Sequence, residues 1–225
     1  MSASHESQAS AGTGPGTLHT LVDRLATEFS QEPHRAEIAA AREDYFTRSG
    51  KVFEDDAELY ERRSASFLEW YVIERPLAGG PPPVVRALAR ALTSEEERPS
   101  RRPLAWLAAS HRSLFDLVTV QDETVELEDL LGGARFLVHE RRSTVGFEVG
   151  DLVEARLCWE GRRVVFGKTF LFHPRDARVE AIAAAEAALT RGEGRDEVMF
   201  HLARLHVRWH RQGHVGAARV YRGGP

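Results

Sequence analysis

Residues 152–172 read LVEARLCWEGRRVVFGKTFLF and carry the pattern that decides the fold. Apolar and other side chains alternate from Val153 to Trp159, which is typical of a strand with one buried face. Glu160-Gly161-Arg162 then predicts a hairpin turn, and Val164–Phe172 continues as a second strand that Gly167 interrupts. The residues of the first strand predicted to face inward are Val153, Ala155, Leu157 and Trp159.

The same alternation predicts three more strands upstream, at Leu114–Val120, Thr124–Glu128 and Ala134–Glu140. Turns that contain Gly or Asp separate them, and a segment at 145–149 leads into Gly150-Asp151. Five short strands joined in this way predict a small five-stranded antiparallel barrel of SH3-like or OB-like type. Its predicted inward residues are Val125, Leu127, Phe136, Val138 and Phe147.

Outside the strands the apolar period is that of a helix. In the segment 55–73, Leu59, Phe67, Trp70 and Tyr71 form the apolar stripe, and Arg62 and Arg63 are expected on the solvent side. The fold class is therefore α+β, with an N-terminal helical region, the barrel and a C-terminal αα-hairpin. The predicted helices are 17–31, 34–49, 55–73, 84–92 and 104–110 before the barrel, and 177–189 and 196–211 after it.

These elements divide the chain into four segments. Residues 1–16 are mostly Ser, Ala, Gly and Thr and predict a disordered tail, since they hold too little apolar surface to offset the cost of ordering. The helical region spans 17–110, the barrel spans 111–174, and the C-terminal helices with a short tail span 175–225.

Composition narrows the function classes. The net charge of −4 gives no general electrostatic reason to bind nucleic acid. The single cysteine, Cys158, excludes an internal disulfide and a cysteine-based zinc site, and it fits a reducing compartment. No apolar run approaches the ~20 residues that span a bilayer, and the N-terminus lacks the features of a secretion signal. We expect a cytoplasmic protein that does not enter a membrane.

Histidines near the C-terminus are the candidate metal ligands. His206 and His210 are four residues apart and share a helix face, and His214 follows the helix end. A divalent metal ion bound there is the one cofactor that the sequence suggests. The alternative is a solvated helix flank, since the segment lacks the glutamate of the zinc-protease helix motif.

Basic residues of the predicted barrel surface are the candidate binding residues. They point outward from its strands or lie in its loops, where they suit a nucleic-acid backbone. The aromatic residues needed for base stacking are predicted inward, which favours a solvated barrel face. The residues of this set are Arg135, His139, Arg141, Arg142, Arg156, Arg162 and Arg163.

Two stretches carry a family resemblance. One is SFLEWYVIERPL at 66–77, and the other comprises SLFDL at 113–117, LEDLLGG at 127–133 and VGDLVEARL at 149–157. Together they resemble a group of uncharacterised bacterial proteins with a helical front half and a small β-module, related to SEC-C-motif-associated proteins. The resemblance implies the same order of elements over about 55–175. The zinc motif of some members has no counterpart here, because Cys158 is alone.

Arg156 has two interpretations. It projects outward at mid-strand, where it pairs with a carboxylate of the helical half or contacts a ligand. The structural pair is the favoured interpretation. Separately, Glu69, Glu74 and Arg75 of the segment 66–77 are candidates for ion pairs at the rim of the barrel.

Three functions fit these observations. The first is a non-enzymatic binding or adaptor protein that acts through a protein partner, favoured because the sequence shows no catalytic constellation. The second is a nucleic-acid-associated protein that uses an OB-like surface, and the third is a metal-dependent enzyme that uses the C-terminal histidines. No catalytic residue and no oligomeric state follow from the sequence.

Overall fold

The computed structural model describes residues 15–140 and 146–223. Residues 1–14 of the predicted disordered tail lie outside the described part, whereas residues 15 and 16 begin the first helix. The described chain is α+β, with helices on both sides of five strands. None of its described helices is long and apolar enough to cross a membrane.

The helices of the described chain follow the predicted order, with one short helix added at the end. They are α1 (Pro15–Glu28), α2 (Arg35–Ser49), α3 (Ala57–Ile73), α4 (Pro83–Thr93), α5 (Arg101–Ala108), α6 (Arg178–Thr190), α7 (Arg195–Arg211) and α8 (Ala217–Tyr221). The strands are β1 (His111–Val120), β2 (Thr124–Asp129), β3 (Arg135–His139), β4 (Leu152–Trp159) and β5 (Val164–Phe172).

The five strands pair in the order β1-β2-β3-β5-β4, and β4 pairs back with β1, which closes the sheet. Most pairings are antiparallel, but β3 and β5 run parallel where Val138 meets Val164. The prediction of an entirely antiparallel barrel is wrong at this contact. Two chain reversals separate β3 from β5, so the two strands run in the same direction when they meet.

The interior of the closed sheet contains most of the residues that the alternation placed there. Phe136 and Phe147 are partly buried against this interior, and the Phe147 ring packs edge-on against Phe166 and Phe172. The predicted inward residues that are fully buried in it are Val125, Leu127, Val138, Val153, Ala155 and Leu157.

Trp159 was predicted to face inward, but 49% of its surface is exposed. It lies on the last rung of the β4–β5 ladder, opposite Val164 and beside the turn at Gly161. Val164, its partner on β5, is only partly buried at this end of the sheet. The alternation rule fails at Trp159 because the strand continues beyond the buried interior.

Two further apolar cores hold the closed sheet between the helices. The core of α1–α5 includes Cys158 and Val165 from the outer face of β4 and β5, and Phe200 from α7. The core of α6–α8 includes Leu114 and Leu152 from the other side of the sheet. The predicted C-terminal αα-hairpin is observed as α6 and α7, and it packs on both the sheet and the N-terminal helices.

Asp129 fastens α7 to the sheet. Its carboxylate accepts hydrogen bonds from the Ser113 hydroxyl, the Leu131 backbone N–H at 2.9 Å and Arg195 Nη1 at 3.1 Å. His111 Nε2 lies 2.8 Å from the same carboxylate. Burial acts to raise the pKa of Asp129, but the hydrogen bonds from Ser113 and His111 outweigh it, so the pKa is lowered. The buried charge therefore joins β1, β2 and α7.

We expect Asp129→Asn to lower the free energy of unfolding by about 2–4 kcal/mol, because it leaves Arg195 facing a neutral group. Urea unfolding followed by circular dichroism measures the loss. Glu128→Gln is the matched control, since Glu128 forms an exposed pair with Arg135 that contributes less than about 1 kcal/mol.

The same substitution changes the acid response. A lowered carboxyl pKa gives stability that is present above the ordinary value of 3.8 and is lost as pH falls through the folded value. The difference in stability between the unmodified protein and Asp129→Asn should therefore shrink below about pH 4. A difference that is unchanged between neutral pH and pH 3 would contradict this role.

Candidate functional site

A polar cleft lies where α3 packs on the outer face of β4 and β5. It encloses about 30 Å³, which is room for roughly two water molecules or a small ionic group. Tyr45, Trp70 and Phe170 contribute apolar walls. The polar side chains that line the cleft are Arg63, Ser66, Glu69, Arg112, Glu154, Arg156 and Thr169.

Arg156 occupies the floor of the cleft and is only 3% exposed. It forms an ion pair with Glu74 at the end of α3, and its Nη1 donates to the Ser110 hydroxyl at 3.1 Å. Its Nε lies 3.7 Å from Glu69 Oε1. The predicted pairing of Arg156 with a carboxylate of the helical half is thus confirmed, since Glu69 and Glu74 both lie beside its guanidinium.

Arg112 on β1 completes the pairing of Glu74. Arg112 Nη1 donates to Glu74 Oε2 at 3.2 Å, and Arg112 Nη2 lies 3.8 Å from Glu154 Oε2. Burial acts to raise the pKa of the Glu74 carboxyl, but Arg156 and Arg112 outweigh burial and hold that pKa below its ordinary value. Glu74 is therefore ionised at neutral pH.

Gly167 explains the interruption of β5. Glu69 reaches over this glycine to accept hydrogen bonds from the Lys168 backbone N–H at 3.1 Å and the Thr169 hydroxyl at 2.7 Å. A Cβ on residue 167 would lie 2.6 Å from Glu69 Oε1 and 3.0 Å from the Cβ of Arg156. The close approach of a buried carboxylate to the strand therefore requires glycine at this position.

Histidines continue the polar cluster toward α8. His173 Nε2 lies 3.3 Å from Glu154 Oε1, and His173 Nδ1 lies 2.8 Å from the Tyr221 hydroxyl. The His206 ring packs edge-on against His173 at 6.1 Å. Burial, with His173 and Arg63 adding repulsion, lowers the pKa of His206 to about 3. His206 is thus neutral at physiological pH.

Arg63 differs from the other two arginines of the cleft. It is 3% exposed, and its Cζ lies 5.2 Å from the centroid of the Tyr45 ring. Among the residues that the structure describes, its Nε and Nη2 have no hydrogen-bond partner. Sequence reasoning placed Arg63 on the solvent side, which is wrong. Arg63 lies four residues from both Leu59 and Phe67, so helical spacing alone puts it on their buried face.

The five predicted basic binding residues that the structure describes do not form one site. Arg135 pairs with Glu126 and Glu128 on the exposed face of β2 and β3, and Arg163 pairs with Glu160 beside the hairpin turn. Arg162 is exposed, His139 is half-buried, and Arg156 lies in the cleft. Arg141 and Arg142 lie outside the described residues.

The structure does not bring together the three predicted metal ligands, His206, His210 and His214. His206 is buried against His173 and Trp209, whereas His210 and His214 are exposed. In the described part of the chain, no three His, Cys, Asp or Glu side chains form a group able to hold a metal ion. His206 and His210 are in different environments, because His206 lies on the buried face of α7 and His210 lies on its exposed face.

Ser113, His111 and Asp129 are residue types of a hydrolytic triad, but their arrangement is different. The Ser113 hydroxyl donates to the carboxylate instead of the imidazole, and Ser113 is fully buried. A nucleophilic serine needs an adjacent base and access to substrate. This cluster therefore has a structural role in docking α7.

Comparisons with known proteins do not assign a function. No family model, no curated protein and no solved structure matches the chain.

We expect Gly167→Ala to lower the free energy of unfolding by about 1–3 kcal/mol, because the added methyl group displaces Glu69 from β5. Chemical unfolding measures the loss. Gly213→Ala is the control, since a Cβ there meets no described atom within 4 Å and is expected to have little effect. Equal effects of the two substitutions would show that Glu69 does not need this close approach.

Proposed function

We propose that the protein is a non-enzymatic binding protein and that the cleft between α3 and β4–β5 holds a small polar ligand. The observation that carries the proposal is a set of buried polar atoms without a hydrogen-bond partner among the described residues: Arg63 Nε and Nη2, Glu154 Oε1 and Arg156 Nε. Buried polar atoms are normally bonded, so a cluster of exceptions around a cleft is typical of a binding site.

The ionisation of the cluster favours binding over acid–base catalysis. Arginine side chains stay protonated and do not exchange protons near neutral pH. The pKa of Glu74 is held low by Arg156 and Arg112 against the effect of burial, so this carboxylate is a poor proton donor. Such fixed charges suit recognition of a ligand's polar groups.

The closed sheet supplies the scaffold, and we assign it to the OB-like type rather than the SH3-like type. The strand order β1-β2-β3-β5-β4, with a parallel contact between β3 and β5, supports a five-stranded Greek-key barrel. In this proposal, the outer face of β4 and β5 forms one wall of the ligand site.

A protein partner and a cytoplasmic location stay predictions. The observation that bears on a partner is the outer face of α4, where Leu92 is 61% exposed and Val85 is also exposed. These two residues are seven apart and lie on one side of the helix.

We expect at least one class of small probe to raise the melting temperature of the protein by several degrees at saturation. The probes are acetate, phosphate, methylammonium, glycine and glycerol, at constant ionic strength. Ser66→Leu should reduce the shift, because Ser66 lines the cleft and leucine adds bulk there. Ala89→Leu, an exposed change on α4, is the control. No shift with any probe, or a full shift in Ser66→Leu, would contradict the proposal.

A second candidate function is association with single-stranded nucleic acid, and the exposed indole of Trp159 favours it. Trp106 packs against the same hairpin, 3.6 Å from the position of a Cβ on Gly161, and Arg162 is exposed beside it. Aromatic rings next to arginine suit base stacking. Against this candidate, Glu126 and Glu128 place negative charge on the outer face of β2 and β3.

If this second candidate holds, labelled oligothymidylate should bind at low salt, and Trp159→Ala should weaken that binding by about tenfold. Fluorescence anisotropy measures the affinity. Phe53→Ala is the control, because Phe53 is an exposed aromatic residue that packs near Arg211, outside the hairpin. Absence of binding at low salt would end this candidate.

A further inference from the structure

We infer that Arg63 is the ligand-binding residue of the cleft and that its ligand is an oxyanion that presents two oxygens, from a carboxylate or a phosphoryl group. This inference rests on the proposed function, since it names the chemistry of the same site. It begins from an unusual feature, a buried arginine whose pairing is incomplete.

The two unpartnered nitrogens of Arg63 define the geometry of the ligand. Nε and Nη2 are neighbours on one edge of the planar guanidinium, and both N–H bonds on that edge point the same way. A carboxylate or phosphoryl group accepts two parallel hydrogen bonds from this edge. A single-atom acceptor such as a hydroxyl oxygen satisfies only one of them.

The carboxylates of the cleft are already engaged by other groups. Glu69 accepts from the backbone and the hydroxyl of β5, and Glu74 pairs with Arg156 and Arg112. Glu154 faces Arg112 and His173. Arg112 and Arg156 thus have carboxylate partners within the structure, whereas no described carboxylate pairs with Arg63.

His206 does not offset the charge of Arg63, because an imidazole is either neutral or positively charged. It lies on α7 near Arg63, and its burial keeps it neutral at physiological pH. A cation buried without a partner is costly, because water no longer solvates it. An oxyanion bound at the free edge of Arg63 removes that cost.

The size of the cleft limits what enters it. About 30 Å³ accommodates two oxygen-sized positions and their connecting atom. The charged head of the ligand therefore binds inside, and any larger part extends to solvent past Ser66 and Thr169, which are half-buried at the cleft.

The test compares two adjacent arginines. Arg63→Met removes the proposed binding edge, and Arg62→Gln alters an exposed residue that pairs with Glu58. Acetate and phosphate are titrated into each variant and into the unmodified protein at constant ionic strength. Isothermal titration calorimetry gives the affinity, and thermal unfolding without probe gives the stability.

We expect the unmodified protein and Arg62→Gln to bind acetate or phosphate, and Arg63→Met to bind the same probe at least ~10-fold more weakly. Without probe, Arg63→Met should be as stable as the unmodified protein or more stable, because methionine replaces an unpaired buried charge. The stronger of the two probes identifies a carboxylate or a phosphoryl ligand. Arg63→Lys should bind weakly as well, since lysine keeps the positive charge but lacks the two parallel N–H donors of the guanidinium edge.

Three results would overturn the inference. The first is undiminished oxyanion binding by Arg63→Met. The second is a large loss of stability in Arg63→Met without probe, which would give Arg63 a structural role. The third is binding of methylammonium or glycerol, but of neither oxyanion, by the unmodified protein. In that third case the cleft still binds a ligand and the proposed function stands, whereas no binding of any probe would reject both.

Discussion

The ion pair between Glu74 and Arg156 is the interaction on which the rest of the structure depends. It joins the end of α3 to the middle of β4, where the Arg156 side chain is 3% exposed and the Glu74 side chain is 17% exposed. A buried charge that loses its partner is strongly destabilising, so each of these residues requires the other in place. The pair thereby sets how the helical half lies against the closed sheet, and it fixes the position of the cleft between them.

Several features of the structure follow from this constraint. Arg112 adds a second cation to Glu74, so the two arginines share one carboxylate. Glu69 lies over Gly167, because a buried carboxylate also needs backbone and hydroxyl donors from β5. The cleft remains because ionised groups bonded in fixed positions cannot collapse into it as apolar side chains would. Arg63 is the arginine of the cleft that forms no ion pair with a carboxylate of the described chain, and its Nε and Nη2 have no hydrogen-bond partner there.

Features with a local cause could be predicted from the sequence. Alternation predicted the interior of the closed sheet, including Leu127 and Val153, because side chains of a strand point to opposite faces in turn. Helical spacing predicted α6 and α7. The sequence also predicted that Arg156 pairs with a carboxylate of the helical half, because a charged residue at mid-strand needs a partner if helices cover that face, but it did not identify which carboxylate.

Features that depend on contacts far apart in the chain could not be predicted. The parallel contact of β3 and β5 depends on how the whole sheet closes. Trp159 is exposed because β4 extends beyond the buried interior of the sheet. No local sequence pattern marks the residue at which burial ends. Arg63 was assigned to solvent by its charge, although its spacing from Leu59 and Phe67 indicated the buried face. The charge of a side chain does not predict its exposure where a site requires a buried cation.

A double-mutant cycle between Glu74 and Arg156 tests the central claim most directly. The free energies of unfolding of Glu74→Gln, Arg156→Met and the double variant are compared with that of the unmodified protein. The account predicts that the single losses, about 3–5 kcal/mol each, exceed the loss in the double variant when summed, with a coupling of at least ~2 kcal/mol. Losses that add to within about 0.5 kcal/mol would contradict it, since they would show that the two charges do not depend on each other.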